Sequence, residues 1–166
     1  MPINYADLKL KFFGALAPLG DAGGTGGTAE VLLDSRFSTG TGANQCDRMY
    51  HDTRTLTGSA NEDLDLTTLL DANGVAIALV DVTLIIIEAA STNAGTIDVA
   101  PGAANGFDLI WDGTSPLLHL LPGATVMFEC PTDPAWVVDG THKVLNFLNL
   151  VGTSVDYTLT VCGRSA

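Results

Sequence analysis

From about Arg48 onward, apolar and polar residues alternate along the chain at a period of two. That is the period of a strand with one face on a core and the other on solvent. Leu64, Leu66 and Leu69 lead into Asp71-Ala72-Asn73-Gly74, and Val75, Ile77 and Leu79 alternate with Ala76 and Ala78 beyond it. Asn-Gly between such runs predicts a hairpin, because both residues tolerate positive φ. The alternation slips at Val80-Asp81, a place for a bulge or bend, and Val82, Leu84 and Ile86 resume it. Ile85 and Ile87 fill the opposite face, so this strand is predicted to be central and covered on both sides.

Turn signals at Asn93-Ala94-Gly95, Pro101-Gly102, Asp112-Gly113 and Pro122-Gly123 separate four further runs: Ile97 to Val99, Phe107 to Trp111, Leu118 to Leu120 and Val126 to Cys130. Trp136 and Val138 follow Pro134, and Val144 to Leu150 is apolar around Asn146 and Asn149. Finally, Val155, Tyr157, Leu159 and Val161 alternate with Asp156, Thr158 and Thr160. Roughly eight to ten short strands with turns every ~8–12 residues are the signature of a sandwich or barrel. No segment holds a helical apolar period, and no internal repeat is present. The prediction is an all-β, antiparallel, jelly-roll-like sandwich, with Leu66, Ile77, Leu84, Ile86, Val126, Phe128, Leu159 and Val161 in its core.

The N-terminal part reads differently. Met1 to Leu19 carries Leu8, Leu10, Phe12, Phe13 and Leu16, interrupted by Gly14 and Pro18, and suits a short helix or an extended arm. Gly20 to Thr28 is too glycine-rich to order alone, so it is expected to be a hinge or a loop held by a neighbour. The organisation expected is a Gly-rich arm over 1–44 and a β-sandwich domain over 45–166.

Composition narrows the function. The 166 residues suit one domain. Up to Ser59 there are six acidic and five basic residues, a net of −1; from Ala60 onward thirteen acidic residues face only Lys143 and Arg164, a net of −11. Such a body repels phosphate backbones, so no nucleic-acid partner is expected. The near-neutral arm is then the part suited to approach another protein. Val82 to Ala90, the longest apolar stretch, is broken by Thr83 and Glu88 and is too short to span a bilayer, so no membrane partner is expected. Cys46, Cys130 and Cys162 are odd in number and lack a CxxC pair, which predicts free thiols and fits a reducing compartment.

Candidate chemistry is sparse. Gly24-Thr25-Gly26-Gly27 lacks the Lys-Ser or Lys-Thr of a phosphate loop. His51, His119 and His142 lack zinc-ligand spacing, although His119, Cys130 and His142 remain imaginable as a three-way site. No GxSxG elbow exists, and Glu62, Asp63 and Asp65 read as solvated charge. Asp71 and Asn73 are calcium-type donors without the terminal Glu of a calcium loop. Trp111 and Trp136 suit core packing better than a sugar platform. No catalytic residue, metal or cofactor is expected.

Ser38-Thr-Gly-Thr-Gly-Ala-Asn-Gln45, Asp52-Thr-Arg-Thr-Leu56, Glu62-Asp-Leu-Asp-Leu66, Ala135-Trp136-Val137 and the ending Tyr157 to Ala166 carry a resemblance. The chain from Ser38 onward resembles small bacteriophage structural proteins of the capsid cement (decoration) type. Thr141-His142-Lys143 departs from the Gly-rich turn expected there. The resemblance implies a homo-oligomer, dimer or trimer, on the virion exterior, assembled in the host cytoplasm and bound to the major capsid protein. The arm residues Leu8, Leu10, Phe12, Phe13 and Leu16 are the expected docking contacts. The alternative is a tail or fibre head that binds a host carbohydrate receptor.

Overall fold

The structure is a computed structural model that describes residues 5–15, 28–71, 73–111 and 116–165, with side chains described from Phe37 onward. The described strands are β1 (Tyr5–Ala15), β2 (Thr28–Ser38), β3 (Arg48–Leu56), β4 (Asn61–Asp65), β5 (Asp81–Ala89), β6 (Ile97–Pro101), β7 (Leu118–Leu120), β8 (Thr125–Glu129), β9 (Trp136–Val137), β10 (Val144–Asn149) and β11 (Val155–Arg164). No helix occurs among the described residues.

Two antiparallel sheets face each other. One runs β3-β11-β5-β8, with β9 also on β5; the other runs β4-β10-β6-β7. The pairs β3·β11, β4·β10, β5·β8 and β6·β7 are nested, first strand with last and inward from there, as when one long antiparallel ribbon is folded over on itself. That nesting is the jelly roll expected from the strand count. Val155, Tyr157, Leu159 and Val161 meet Leu64, Leu66, Ile97, Val99, Leu145 and Phe147 in one core. Burying a single such side chain is worth about 1.5–3 kcal/mol.

Several expectations shift. Leu66, Ile77, Leu159 and Val161 are in this core, but Val126, Phe128 and Ile86 are only half-buried. Val126 and Phe128 face inward from β8, an edge strand, where cover on one side is missing. Leu84 is buried in a separate cluster with Phe37, Cys46 and Cys162, against which Ile86 packs from the same outer face of the sheet. The slip lies later than Val80-Asp81: register shifts between Cys162 and Gly163, opposite Val82 to Leu84. Beyond it Ile85, Ile87 and Ala89 join Val82 in the main core. The Asn73-Gly74 turn forms, but only Gly74 takes positive φ (77°), and Leu70–Ala76 is the bridge it closes. Asp71 caps it, accepting from the N–H of Asn73 and of Val75. Phe107 is buried without a strand around it, because Asp108 to Trp111 is a turn.

The arm contains structure the sequence reading did not predict. β1 and β2 pair antiparallel over eleven residues as their own two-stranded sheet. Directly opposed residues share a face. The register therefore places Leu8 opposite Ser35, Leu10 opposite Leu33, Phe12 opposite Val31 and Gly14 opposite Ala29 in one set of rows. Asp7 opposite Arg36, Lys9 opposite Asp34, Lys11 opposite Leu32 and Phe13 opposite Glu30 fall in the other. Leu16 and residues 20–27 lie outside the described residues.

Candidate functional site: the anchor of the hairpin

β2 ends at Ser38, and residues 39–47 form a strap that returns the chain to β3. The strap folds on itself through Cys46 N–H to Ser38 O (3.0 Å) and Ser38 N–H to Asn44 O (3.1 Å). Gln45 donates structure to its glycines: its Oε1 accepts from the Gly42 N–H (2.8 Å), and its side chain occupies the space a Cβ on Gly40 would need. Gly40 also has φ 145°, which L side chains rarely adopt.

The strap is fastened to the sandwich by Arg164, the last residue of β11, which is only 1% exposed. Its Nε and Nη2 donate to the two carboxylate oxygens of Asp81 at 2.8 and 2.5 Å. Its Nη1 donates to Gly42 O (2.8 Å) and its Nη2 to Thr132 O (2.9 Å). Three segments distant in sequence thus meet on one guanidinium, whose planar fork suits several acceptors at once. The Asp81 carboxylate raises the Arg164 pKa further, against the opposing effect of burial. Beside it, Asp47 accepts from the Ser165 N–H (2.8 Å), the Ser165 hydroxyl (2.6 Å) and Arg48 Nη1 (2.8 Å). Underneath, Phe37, Cys46, Leu84 and Cys162 close an apolar cluster.

A second polar cluster latches the two sheets. Arg54 on β3 donates a fork to Glu62 on β4, and Glu62 also accepts from the Tyr157 hydroxyl (2.9 Å). Arg54 further reaches Asp52 (2.9 Å) and Tyr50 (3.2 Å). The Arg54 guanidinium, aided by Tyr157, holds the Glu62 carboxyl below its usual range, although burial opposes this. Burial and the Glu62 charge push the Tyr157 phenol up. Tyr157 stacks on Phe147 at 4.3 Å and 12°, which seats the hydroxyl at the edge of the core.

The other candidates separate. His119 meets Asp98 across β6 and β7, Cys130 contacts Thr132, and His142 contacts Asp139 and Thr141, so the imagined three-way site does not assemble. No group of metal-holding side chains occurs among the described residues. Trp111 packs edge-on to Phe128 (6.4 Å), and Trp136 packs on the main core. The turn at Thr141-His142-Lys143 is held by Asp139, which accepts from the N–H of Thr141 (2.6 Å) and of His142 (2.9 Å), and these bonds hold its carboxyl well below the usual range. A groove of about 730 Å3 lies against β4 and β10, lined by Asn61, Asp63, Asp108, His142, Asn146 and Leu148.

Leu8, Leu10, Phe12 and Phe13 lie on β1, away from all of these residues in sequence and paired through their backbone to β2. Sequence reasoning missed Arg164 and Asp81 as an anchor. One signal was present: Arg164 is one of two basic residues after Ser59, and the other, Lys143, is also paired, to Asp65 (2.7 Å).

Comparison with protein-family models finds no match, and comparison with curated proteins finds none. Among solved structures, a solution NMR structure of a de novo designed double-stranded β-helix is similar at TM-score 0.37 and 12% identity, over 68% of this chain and 97% of that chain.

Proposed function

We propose that this chain is a structural docking protein of the capsid cement type, a jelly-roll body that carries a β-hairpin arm onto a shell of major capsid protein. The observation that carries the reading is the hairpin. β1 and β2 pair with each other over eleven residues and with no other named strand. Two strands by themselves are marginally stable in water. The register puts Leu10 with Leu33 and Phe12 with Val31 in one set of rows, while the other mixes the charged pairs Asp7–Arg36 and Lys9–Asp34 with Lys11–Leu32 and Phe13–Glu30. A ribbon of that pattern gains stability when its apolar rows are covered by another protein. The strap and Arg164 fix where it leaves the body. The body keeps the net charge of −11, so the arm meets a partner at lower electrostatic cost than any other part. Many copies on a shell would multiply modest contacts. In this reading the protein performs no reaction, and the body faces outward.

Deletion of Met1 to Arg36, which keeps the buried Phe37, tests this. The truncated protein should unfold at an unchanged denaturant midpoint and fail to co-sediment with capsid shells of the parent phage prepared without it. Shell binding that survives the deletion overturns the docking arm. A collapsed midpoint overturns it too, because the hairpin would then be covering its own sandwich.

A further inference from the structure

We propose that Cys46 and Cys162 are a site of reversible oxidation, at which an intramolecular disulfide welds the hairpin's strap to β11. This does not depend on the identity of any docking partner.

The placement carries the idea. Cys46 lies near the end of the strap, and Cys162 lies on β11, opposite Met49 of β3. The two side chains belong to one buried cluster of four, with Phe37 and Leu84, at 0% and 2% exposure. The backbones that carry them adjoin: Asp47 N–H, next to Cys46, donates to Gly163 O, next to Cys162 (3.1 Å). The neighbouring Cys162 thiol holds Cys46 below the usual thiol range, and Cys46, with burial, pushes Cys162 up. Cys46 is therefore the thiol that reacts first, since the thiolate is the nucleophile. Cys130 stands apart, in contact with Thr132.

The oxidant is a small-molecule disulfide. The Cys46 thiolate attacks one of its sulfurs, the S–S bond breaks, and one thiol leaves with a proton. The Cys162 sulfur then attacks the Cys46 sulfur, its proton passes to the departing thiolate, and the second thiol leaves. Two protein thiols lose two electrons, and the reagent is reduced to two thiols. Burial of both sulfurs makes strap opening the gate to the first attack. The new bond joins residues 46 and 162, so the strap can no longer lift from the sandwich.

The test uses the full chain and bis(2-hydroxyethyl) disulfide under native conditions. Thiol titration after denaturation without reductant should fall from three free cysteines to one. Peptide mapping should join the Cys46 and Cys162 peptides, and Cys130→Ser should leave that link intact. The unfolding midpoint should rise on oxidation and return with reductant. Three remaining thiols, a mixed disulfide that never closes, a link through Cys130, or a lowered midpoint would each overturn the proposal.

Discussion

Arg164 holds three separate stretches of the chain at once. It is buried with Asp81 and reaches two further loops, so removing it strands a carboxylate and two carbonyls. Breaking a buried pair from one side costs about 3–5 kcal/mol. Arg164→Ala should lose that much by denaturant unfolding, and Arg164→Met with Asp81→Leu should lose clearly less. Glu62 offers a pH test. Its folded pKa is lowered from 4.5, so its contribution is full above that value and fades as pH falls through the lowered one. Glu62→Gln should cost about 1 kcal/mol at pH 7, discounted for partial exposure. The gap to the parent protein should close in acid; a gap that widens there contradicts the assignment.

At the scale of elements, asparagine side chains tie loops that strands cannot. Asn149 donates to Leu56 O (3.2 Å), Thr57 O (2.9 Å) and Thr153 O (2.8 Å), and its Oδ1 accepts from the Val151 N–H (3.0 Å). It thereby clips the β3–β4 turn to the β10–β11 turn. Asn149→Ala should cost about 1–3 kcal/mol, the price of leaving such groups unsatisfied. Leu159→Ala, in the main core at 0% exposure, should cost about 2–5 kcal/mol. Ile86→Ala, on the half-covered outer face of β5, should cost less than Leu159→Ala in the same assay, since its site is open to solvent on one side.

For the whole molecule, charge is the strongest lever. A formal net charge of −12 repels itself across the body. Screening lengths fall to about 3 Å at 1 M salt, so stability should rise with sodium chloride. A thermal midpoint that falls steadily from low to high salt would contradict this. In the proposed docking role, the same repulsion favours approach through the near-neutral hairpin.

The all-β class was legible because period two is a local property. Val155 to Val161 alternates cleanly, and the structure buries the predicted face of that strand. Turn positions were legible for the same reason, as at Gly74. Three things were decided only by tertiary structure. Which of two apolar faces is inner depends on register, and the shift at Cys162–Gly163 sends Ile85 and Ile87 inward while Leu84 faces the strap. Whether a strand is an edge, as β8 is, sets how deeply Val126 and Phe128 are buried. The anchor gathers Gly42, Asp81, Thr132 and Arg164 from four distant stretches, and no window along the chain contains them together. Period and turn chemistry are carried by neighbours in sequence; register, edges and anchors are carried by neighbours in space.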